Sequence, residues 1–235
     1  MRNALVLICA LSGCLRAAAT IPGVVRGSVV DSGGKPVVRA RIFISRALSS
    51  ALPHVSGAPV ITGPLVKTTM TDDNGQFVAA YLPDGSYVVC AQAAAPGLLD
   101  PCHWAASAPR FTITAGKAVT GVQVAMAKGA VVAIHVDDPQ QLLAPAKGAA
   151  ESDLRVYLVT AQGHHYEAFI VAHEAKSRDH AITVPFGSPI TLSVFGPHLT
   201  VNDESGKAVS AAKSVSIPAA ANPPTVTYRV SGTRP

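Results

Sequence analysis

Charged residues and aromatic rings are both scarce in this chain of 235 residues. Asp, Glu, Lys and Arg together make up 14% of the sequence, and Phe, Trp and Tyr make up 5%, with a single Trp. So low a charge content is unusual for a cytosolic protein. The net charge of +5 includes no run of Lys or Arg, which argues against a nucleic-acid partner. After the N-terminus, no uninterrupted apolar run approaches the ~20 residues that a membrane helix needs.

Aliphatic residues, glycine and proline dominate instead. Hydrophobic residues make up 49% of the chain, and 19 Gly and 18 Pro are scattered among them. Plentiful, periodic aliphatic residues argue against disorder. The frequent turn residues predict many short strands joined by turns.

The N-terminus has the layout of a secretory signal peptide, in which Arg2 and the apolar residues 4–11 precede small residues. The small residues 17–19 favour cleavage before Thr20. The sequence Leu-Ser-Gly-Cys ending at Cys14 resembles a bacterial lipobox, whose cysteine is lipidated. An uncleaved anchoring helix is a third interpretation, which the short apolar stretch weakens. We therefore expect an extracytoplasmic protein, periplasmic or secreted, that meets the membrane only through a possible lipid anchor at Cys14.

Four cysteines are present, of which Cys9 and Cys14 fall in the signal region. The remaining pair, Cys90 and Cys102, is expected to form a disulfide, because two cysteines in an exported chain usually pair. Closing a loop of this length is worth about 3 kcal/mol in the chain-entropy model. A redox or metal-binding pair would favour C-x-x-C spacing, which is absent.

Apolar residues recur at every second position in many short segments. One example is Val38, Ala40, Ile42 and Ile44, which alternate with Arg39, Arg41, Phe43 and Ser45. This pattern indicates an all-β chain of two immunoglobulin-like or transthyretin-like β-sandwiches in tandem after a signal peptide. We predict a signal peptide over 1–19 and sandwich domains over 20–128 and 129–235; one continuous large sandwich is the alternative. The predicted strands are 24–30, 38–45, 66–71, 76–81, 86–92, 110–114, 119–126, 132–136, 154–158, 165–172, 181–185, 190–195 and 225–230.

The turns of the first half carry a family resemblance. Residues 27–42 read GSVVDSGGKPVVRARI, residues 71–77 read TDDNGQF, and residues 82–89 read LPDGSYVV. In this order they resemble carboxypeptidase regulatory-like domains over about residues 23–127. The resemblance implies a transthyretin-like sandwich that serves as an accessory module in exported proteins. Residues 129–235 resemble no named family.

Several residues of these motifs have expected structural roles. Asp72 is expected to accept backbone N–H bonds across its turn, with Gly75 at positive φ. Phe77 and Tyr87 are expected to fill the sandwich core, with the tyrosine hydroxyl bonded to a backbone group.

Two features are candidate binding elements. The segment 47–65 is apolar, interrupted by proline and longer than a sandwich loop requires; it is either a self-packed loop or a contact surface for a partner, with Leu52, Val60 and Ile61 as contact residues. Trp104 is expected to pack against the disulfide or cover a sheet edge. An exposed platform for sugar stacking is the alternative.

Signals for catalysis or metal binding are weak. Asp72 and Asp73 could suggest calcium, but the spacing of a 12-residue calcium loop is missing. His164 and Glu167 have the H-x-x-E spacing of zinc carboxypeptidases, yet positions i and i+3 of a strand point to opposite faces. We therefore predict no catalytic residue, metal or cofactor.

These observations favour a non-catalytic exported accessory protein of the cell envelope that acts through protein–protein contacts. A carbohydrate-binding module resembling starch-binding folds is the alternative. A small hydrolase is a third possibility, which no motif favours.

Overall fold

The computed structural model describes residues 22–48, 62–104, 108–144, 154–159, 165–196, 199–209 and 212–232. Nearly all of their regular structure is β, which confirms the predicted fold class. One helical turn, α1 (Pro101–Trp104), interrupts the strands. The strands are β1 (Gly23–Asp31), β2 (Arg41–Arg46), β3 (Leu65–Met70), β4 (Gln76–Leu82), β5 (Gly85–Gln92), β6 (Arg110–Ile113), β7 (Val119–Met126), β8 (Ala130–Asp137), β9 (Arg155–Val159), β10 (His165–Glu167), β11 (Phe169–Glu174), β12 (Ser177–Val184), β13 (Ile190–Phe195), β14 (Leu199–Asn202), β15 (Ala212–Val215) and β16 (Val226–Gly232).

The first half is a sandwich of two sheets with strand orders β4-β1-β7 and β3-β2-β5-β6. β1 is the central strand of the smaller sheet, antiparallel to β4 and parallel to β7. Alternate residues of these strands point inward and form one buried cluster, as the period-two pattern predicts. Its members include Val25, Val29, Ile42, Ile44, Phe77, Leu82, Tyr87, Val89, Ile113, Val124 and Met126.

The second half has sheets of order β11-β12-β8-β16-β14 and β10-β9-β13-β15. β8 alternates between buried and half-buried residues along its length, which confirms the inward face predicted for Val132, Ile134 and Val136. A second buried cluster fills the space between these sheets and includes Val132, Ile134, Val136, Val156, Leu158, Ile182, Leu192, Val194, Tyr228 and Val230.

The two halves share one topology. Like β1, β8 is the first strand of its half, is antiparallel to a later strand, β12, and is parallel to the last strand, β16. The order β10-β9-β13-β15 corresponds strand for strand to β3-β2-β5-β6. The second half therefore repeats the arrangement of the first, with β11 and β14 added at the edges of the larger sheet.

The same turn occurs at Asp31, Asp72 and Asp203. In each, the Asp Oδ1 atom accepts N–H bonds from residues two and four positions later, at 2.8–3.0 Å. The third residue after the Asp is a glycine with φ of 69–80°, a conformation that glycine adopts without steric cost. This confirms the roles predicted for Asp72 and Gly75.

The predicted core roles of Phe77 and Tyr87 are confirmed, since their exposed fractions are 2% and 0%. The Tyr87 hydroxyl donates to the carbonyl oxygen of Pro83. Gly27 is needed beside Phe77: a Cβ at Gly27 would lie 2.5 Å from the Phe77 ring and 2.1 Å from the carbonyl oxygen of Val122.

Three predicted strands differ from the structure. The strand predicted over 181–185 begins four residues earlier, because β12 starts at Ser177. The strand predicted over 38–45 begins only at Arg41, because the chain turns at Arg39, which has φ of 53°. Val38 is consequently 44% exposed, and its neighbour Val37 is buried instead. The strand predicted over 165–172 is two strands, β10 and β11, which belong to different sheets. The short elements α1, β14 and β15 were not predicted.

Thr71 holds the turn at residues 37–40. Its hydroxyl accepts the N–H of Ala40 and donates to the carbonyl oxygen of Val37, both at 2.8 Å, and the residue is 4% exposed. We expect Thr71→Val to lower the free energy of unfolding by about 1–3 kcal/mol, because it leaves both backbone groups buried without partners. Urea unfolding of the wild type and the variant measures this difference in the free energy of unfolding. The exposed Thr68→Val is the control and should change stability by no more than about 0.5 kcal/mol; equal effects of the two variants would contradict the assignment.

His180 makes the second half sensitive to acid. It is 4% exposed, and neither ring nitrogen has a hydrogen-bond partner in the part of the chain that the structure describes. Burial, and secondly the charge of Arg178, lower the pKa of His180 to about 4. An unfolded histidine titrates near 6.5, so below that pH the unfolded state binds more protons than the folded state.

We therefore expect the free energy of unfolding to fall as the pH drops from about 6.5 towards 4. The measurement is urea unfolding of the wild type and of His180→Leu across this range. The stability difference between the two should shift in favour of the variant as the pH falls. Parallel pH profiles would show that His180 does not titrate on unfolding.

Candidate functional site

The predicted disulfide is present and fixes a segment onto the first half. Cys90 lies in β5 and Cys102 in α1, with Cα atoms 5.4 Å apart. Val88, Cys90, Cys102 and Ala108 form a small buried cluster, against which Phe43 packs. The cross-link thus ties α1 to β5.

Asp100 shapes the helical turn that follows it. Its Oδ1 atom accepts the N–H of Cys102 at 2.8 Å, and its carbonyl oxygen accepts the N–H groups of His103 and Trp104 at 3.1 and 3.0 Å. Asp at the N-cap with Pro101 at the first helical position is a favourable start for a helix. This turn directs the rings of His103 and Trp104 towards the second half.

The segment from Gly97 to Trp104 contacts both halves. The N–H of Gly97 donates to Thr183 Oγ1 in β12 at 2.8 Å, and its carbonyl oxygen accepts the N–H of Gly129 at 3.1 Å. Tyr166 in β10 lies against the rings of His103 and Trp104, with centroid separations of 4.4 and 5.2 Å. Trp104 is half-buried and packs against the core of the second half.

A cleft of about 370 Å³ opens beside these rings, within the size range of small-ligand sites. We call it the seam cleft. Both halves contribute to its walls, which are formed by Gln92, Ala93, Ala95, Leu98, Asp100, His103, Trp104, Tyr166, Glu167, Phe169, Ile182 and Thr183.

The seam cleft is acidic and aromatic. Asp100 and Glu167 are carboxylates, and no Lys or Arg is among the described lining residues. Burial lowers the pKa of His103, although the charge of the nearby Asp100 opposes this shift. Burial also raises the pKa of Asp100, against the opposing charge of His103 and the backbone hydrogen bonds that Asp100 accepts.

Tyr166 contributes a hydroxyl without a partner. It is 8% exposed, and its oxygen makes no hydrogen bond with any described residue. Burial, and secondly the charge of Asp100, raise the pKa of Tyr166 to about 12. Among the described residues, neither serine nor cysteine lines the seam cleft, and no group of three or more His, Cys, Asp or Glu could hold a metal ion.

A second surface lies where β3 and β4 meet. Each is the terminal strand of its sheet, and the two contact each other. Four apolar or aromatic side chains are exposed there: Leu65 by 57%, Met70 by 56%, Val78 by 44% and Tyr81 by 77%. We call this surface the β3–β4 edge. Within the described ranges, no strand pairs with the outer side of β3 or of β4.

Some predicted residues cannot be placed. Residues 1–21, with Cys14, and residues 49–61, with Leu52, Val60 and Ile61, lie outside the described residues. His164 does too, so its pairing with Glu167 stays untested. In the part of the chain that the structure describes, no helix is long and apolar enough to cross a membrane.

The sequence missed most of the seam cleft. Asp100 and Pro101 are a recognisable helix start, but nothing in the sequence indicated that Tyr166 and Glu167 would lie beside Trp104. These residues are more than sixty positions apart and meet only because the two halves pack together.

Neither a family model nor a curated protein matches this sequence. Similar solved structures include two pilins and the Bacillus anthracis TIE protein. The streptococcal ancillary pilin is 13% identical, with a TM-score of 0.40, over 92% of this chain and 64% of that one. The minor pilin of Streptococcus agalactiae is 12% identical, with a TM-score of 0.40, over 90% and 96%. The Bacillus anthracis TIE protein is 10% identical, with a TM-score of 0.32, over 91% and 34%.

The chain thus spans about a third of the TIE protein and about two thirds of the ancillary pilin. We infer no activity or partner from these similarities. The two-sheet fold itself follows from the strand pairing described above.

The disulfide is expected to stabilise both the first half and the seam cleft. Replacing Cys90 and Cys102 with Ala should lower the free energy of unfolding by about 3 kcal/mol, through the loss of loop closure. It should also shift the emission of Trp104, the only Trp, to longer wavelength, because α1 loses its covalent tie to β5. Unfolding monitored by fluorescence measures both effects.

A reducing agent provides the matched control. It should destabilise the wild type by a similar amount and leave the double variant unchanged. A wild type whose unfolding midpoint is unaffected by complete reduction would contradict the expected stabilisation.

Proposed function

We propose that this protein is an exported, non-catalytic accessory protein of the cell envelope that acts through protein–protein contacts. In this proposal a signal peptide, residues 1–19, precedes sandwich domains over 20–128 and 129–235. The observation that carries the proposal is the β3–β4 edge, where terminal strands of both sheets expose apolar side chains.

The β3–β4 edge suits an extended segment of a partner protein. A terminal strand has backbone N–H and C=O groups that another strand can pair with, and proteins usually protect such edges. Leu65 and Met70 are more than half exposed, and burying each fully would contribute about 1.5–3 kcal/mol. β3 also directly follows the segment 47–65, for which the sequence suggested a partner contact.

The proposed location outside the cytoplasm is supported by the disulfide and not by the β3–β4 edge. The disulfide between Cys90 and Cys102 favours an oxidising environment, such as the periplasm or the exterior. The sequence resemblance to carboxypeptidase regulatory-like domains, which serve as accessory modules, agrees with this location. Lipidation at Cys14 is the alternative to cleavage after residue 19: the signal peptide would then end before Cys14, and the lipid would attach the protein to a membrane.

Carbohydrate binding has less support. A sugar platform needs an open aromatic face, whereas Trp104 is half-buried and packs on Tyr166 and the core of the second half.

Site-specific photo-crosslinking tests the proposed contact. A photoreactive amino acid is placed at Met70, at Tyr81 or, as the control, at Phe195, whose exposure of 57% matches that of Met70. In cells that produce the protein, we expect one adduct of the same mass at Met70 and Tyr81 and none at Phe195. Leu65→Lys should abolish it, because a charged edge disfavours strand addition.

Two results would contradict the proposal. One is an adduct equally strong at Phe195, which reports unspecific contact. The other is no adduct at Met70 and Tyr81 while the protein is folded and exported. Binding of purified glycans that survives Leu65→Lys would instead favour the carbohydrate alternative.

A further inference from the structure

The geometry points to the seam cleft as a binding site for an organic cation, either a primary ammonium or a guanidinium group on an aliphatic stem. This inference goes beyond the proposed function, since it concerns a different surface and does not depend on the β3–β4 edge. It rests on the charge, the aromatic rings and the unpaired polar atoms of the cleft.

The charge of the seam cleft is opposite to that of the chain. The whole sequence has a net charge of +5, yet the described residues that line the cleft include two carboxylates and no Lys or Arg. The side chain of Asp100 is 16% exposed, and its Oδ2 atom lies 3.9 Å from Nδ1 of His103. Burial lowers the pKa of His103 and so disfavours the charged imidazolium that would neutralise Asp100. A carboxylate held in a partly buried site attracts a cation more strongly than one in open water.

Glu167 provides the second carboxylate and is available to a ligand. It lies in β10 opposite Tyr157, and its side chain is exposed. Among the described residues, no hydrogen bond or ion pair engages its carboxylate. Asp100 and Glu167 come from different halves, so a cation between them would be bound from both sides of the cleft.

Aromatic rings complete the site. Trp104, Tyr166 and Phe169 all line the seam cleft, and aromatic faces attract ammonium and guanidinium groups. Leu98 and Ile182 add apolar wall, which suits an aliphatic stem. The buried, unpartnered hydroxyl of Tyr166 adds a polar atom that the protein itself leaves unsatisfied. An inorganic cation would use the carboxylates and leave the rings without a role.

The chain's single tryptophan makes the inference directly testable. Trp104 lines the cleft, so its fluorescence in the purified full chain reports on an occupant. The cationic probes are butylguanidinium, butylammonium, and the N-acetyl amides of arginine and lysine. The neutral probes, matched in shape, are the N-acetyl amides of citrulline and norleucine.

We expect a saturable fluorescence change with the cationic probes only, weakened by added NaCl. Glu167→Gln should weaken binding about fivefold, as expected for removal of an ion-pair partner, and Glu204→Gln, in an exposed turn, should leave it unchanged. Phe169→Leu keeps an apolar side chain but removes a ring, and should weaken binding about two- to fivefold. The unfolding temperature of each variant is also measured, and a variant is compared with the wild type only if this temperature is unchanged.

The free and amide probes distinguish two sources of the cation. If butylguanidinium and butylammonium bind as tightly as the N-acetyl amides of arginine and lysine, the natural ligand is a small amine or guanidine. Much tighter binding of the amides indicates a side chain of a polypeptide. Equal binding of citrulline and arginine amides would overturn the inference, as would the same response to calcium alone. So would the absence of any saturable change in folded protein. None of these results bears on crosslinking at the β3–β4 edge.

Discussion

Each half depends on the pairing of its first strand with two strands that come much later in the sequence. β1 lies between β4 and β7, and β8 lies between β12 and β16. The backbone groups of such a central strand are satisfied only when both neighbours are present, and its inward aliphatic side chains are buried only when the second sheet closes. Short aspartate turns and buried aliphatic residues surround this arrangement in both halves, although the sequences of the halves differ.

Sequence patterns correctly predicted the structural features that depend on residues close together in the chain. Three examples are the alternation of buried and half-buried residues along β8, the aspartate turn at Asp72 and the burial of Phe77. The strand predicted through Val38 is wrong because the hydroxyl of Thr71, more than thirty residues away in the sequence, stabilises a turn there. β10 and β11 were merged in the prediction because a change of sheet at Ala168 leaves no local signal. A strand register or a sheet change depends on distant partners, which one sequence does not display.

The same limit applies more strongly to the candidate site. The disulfide was predictable, because compartment and cysteine number suffice to infer it. The composition of the seam cleft was not, because its carboxylates and rings are supplied by segments on either side of the boundary between the halves. Asp100 has two effects in this region: its backbone and side-chain hydrogen bonds orient Trp104, and its charge raises the pKa of Tyr166. The structural and electrostatic properties of the cleft are therefore coupled through one side chain.

The parallel pairing of first and last strands has a mechanical consequence. The beginning of β1 and the end of β7 lie at opposite ends of one parallel pair, and the beginning of β8 and the end of β16 are related in the same way. Tension applied along the chain would therefore act parallel to these strands and load their hydrogen bonds together, rather than opening them one at a time from an end. Because β8 begins shortly after β7 ends, the pull would pass from one such pair directly to the next.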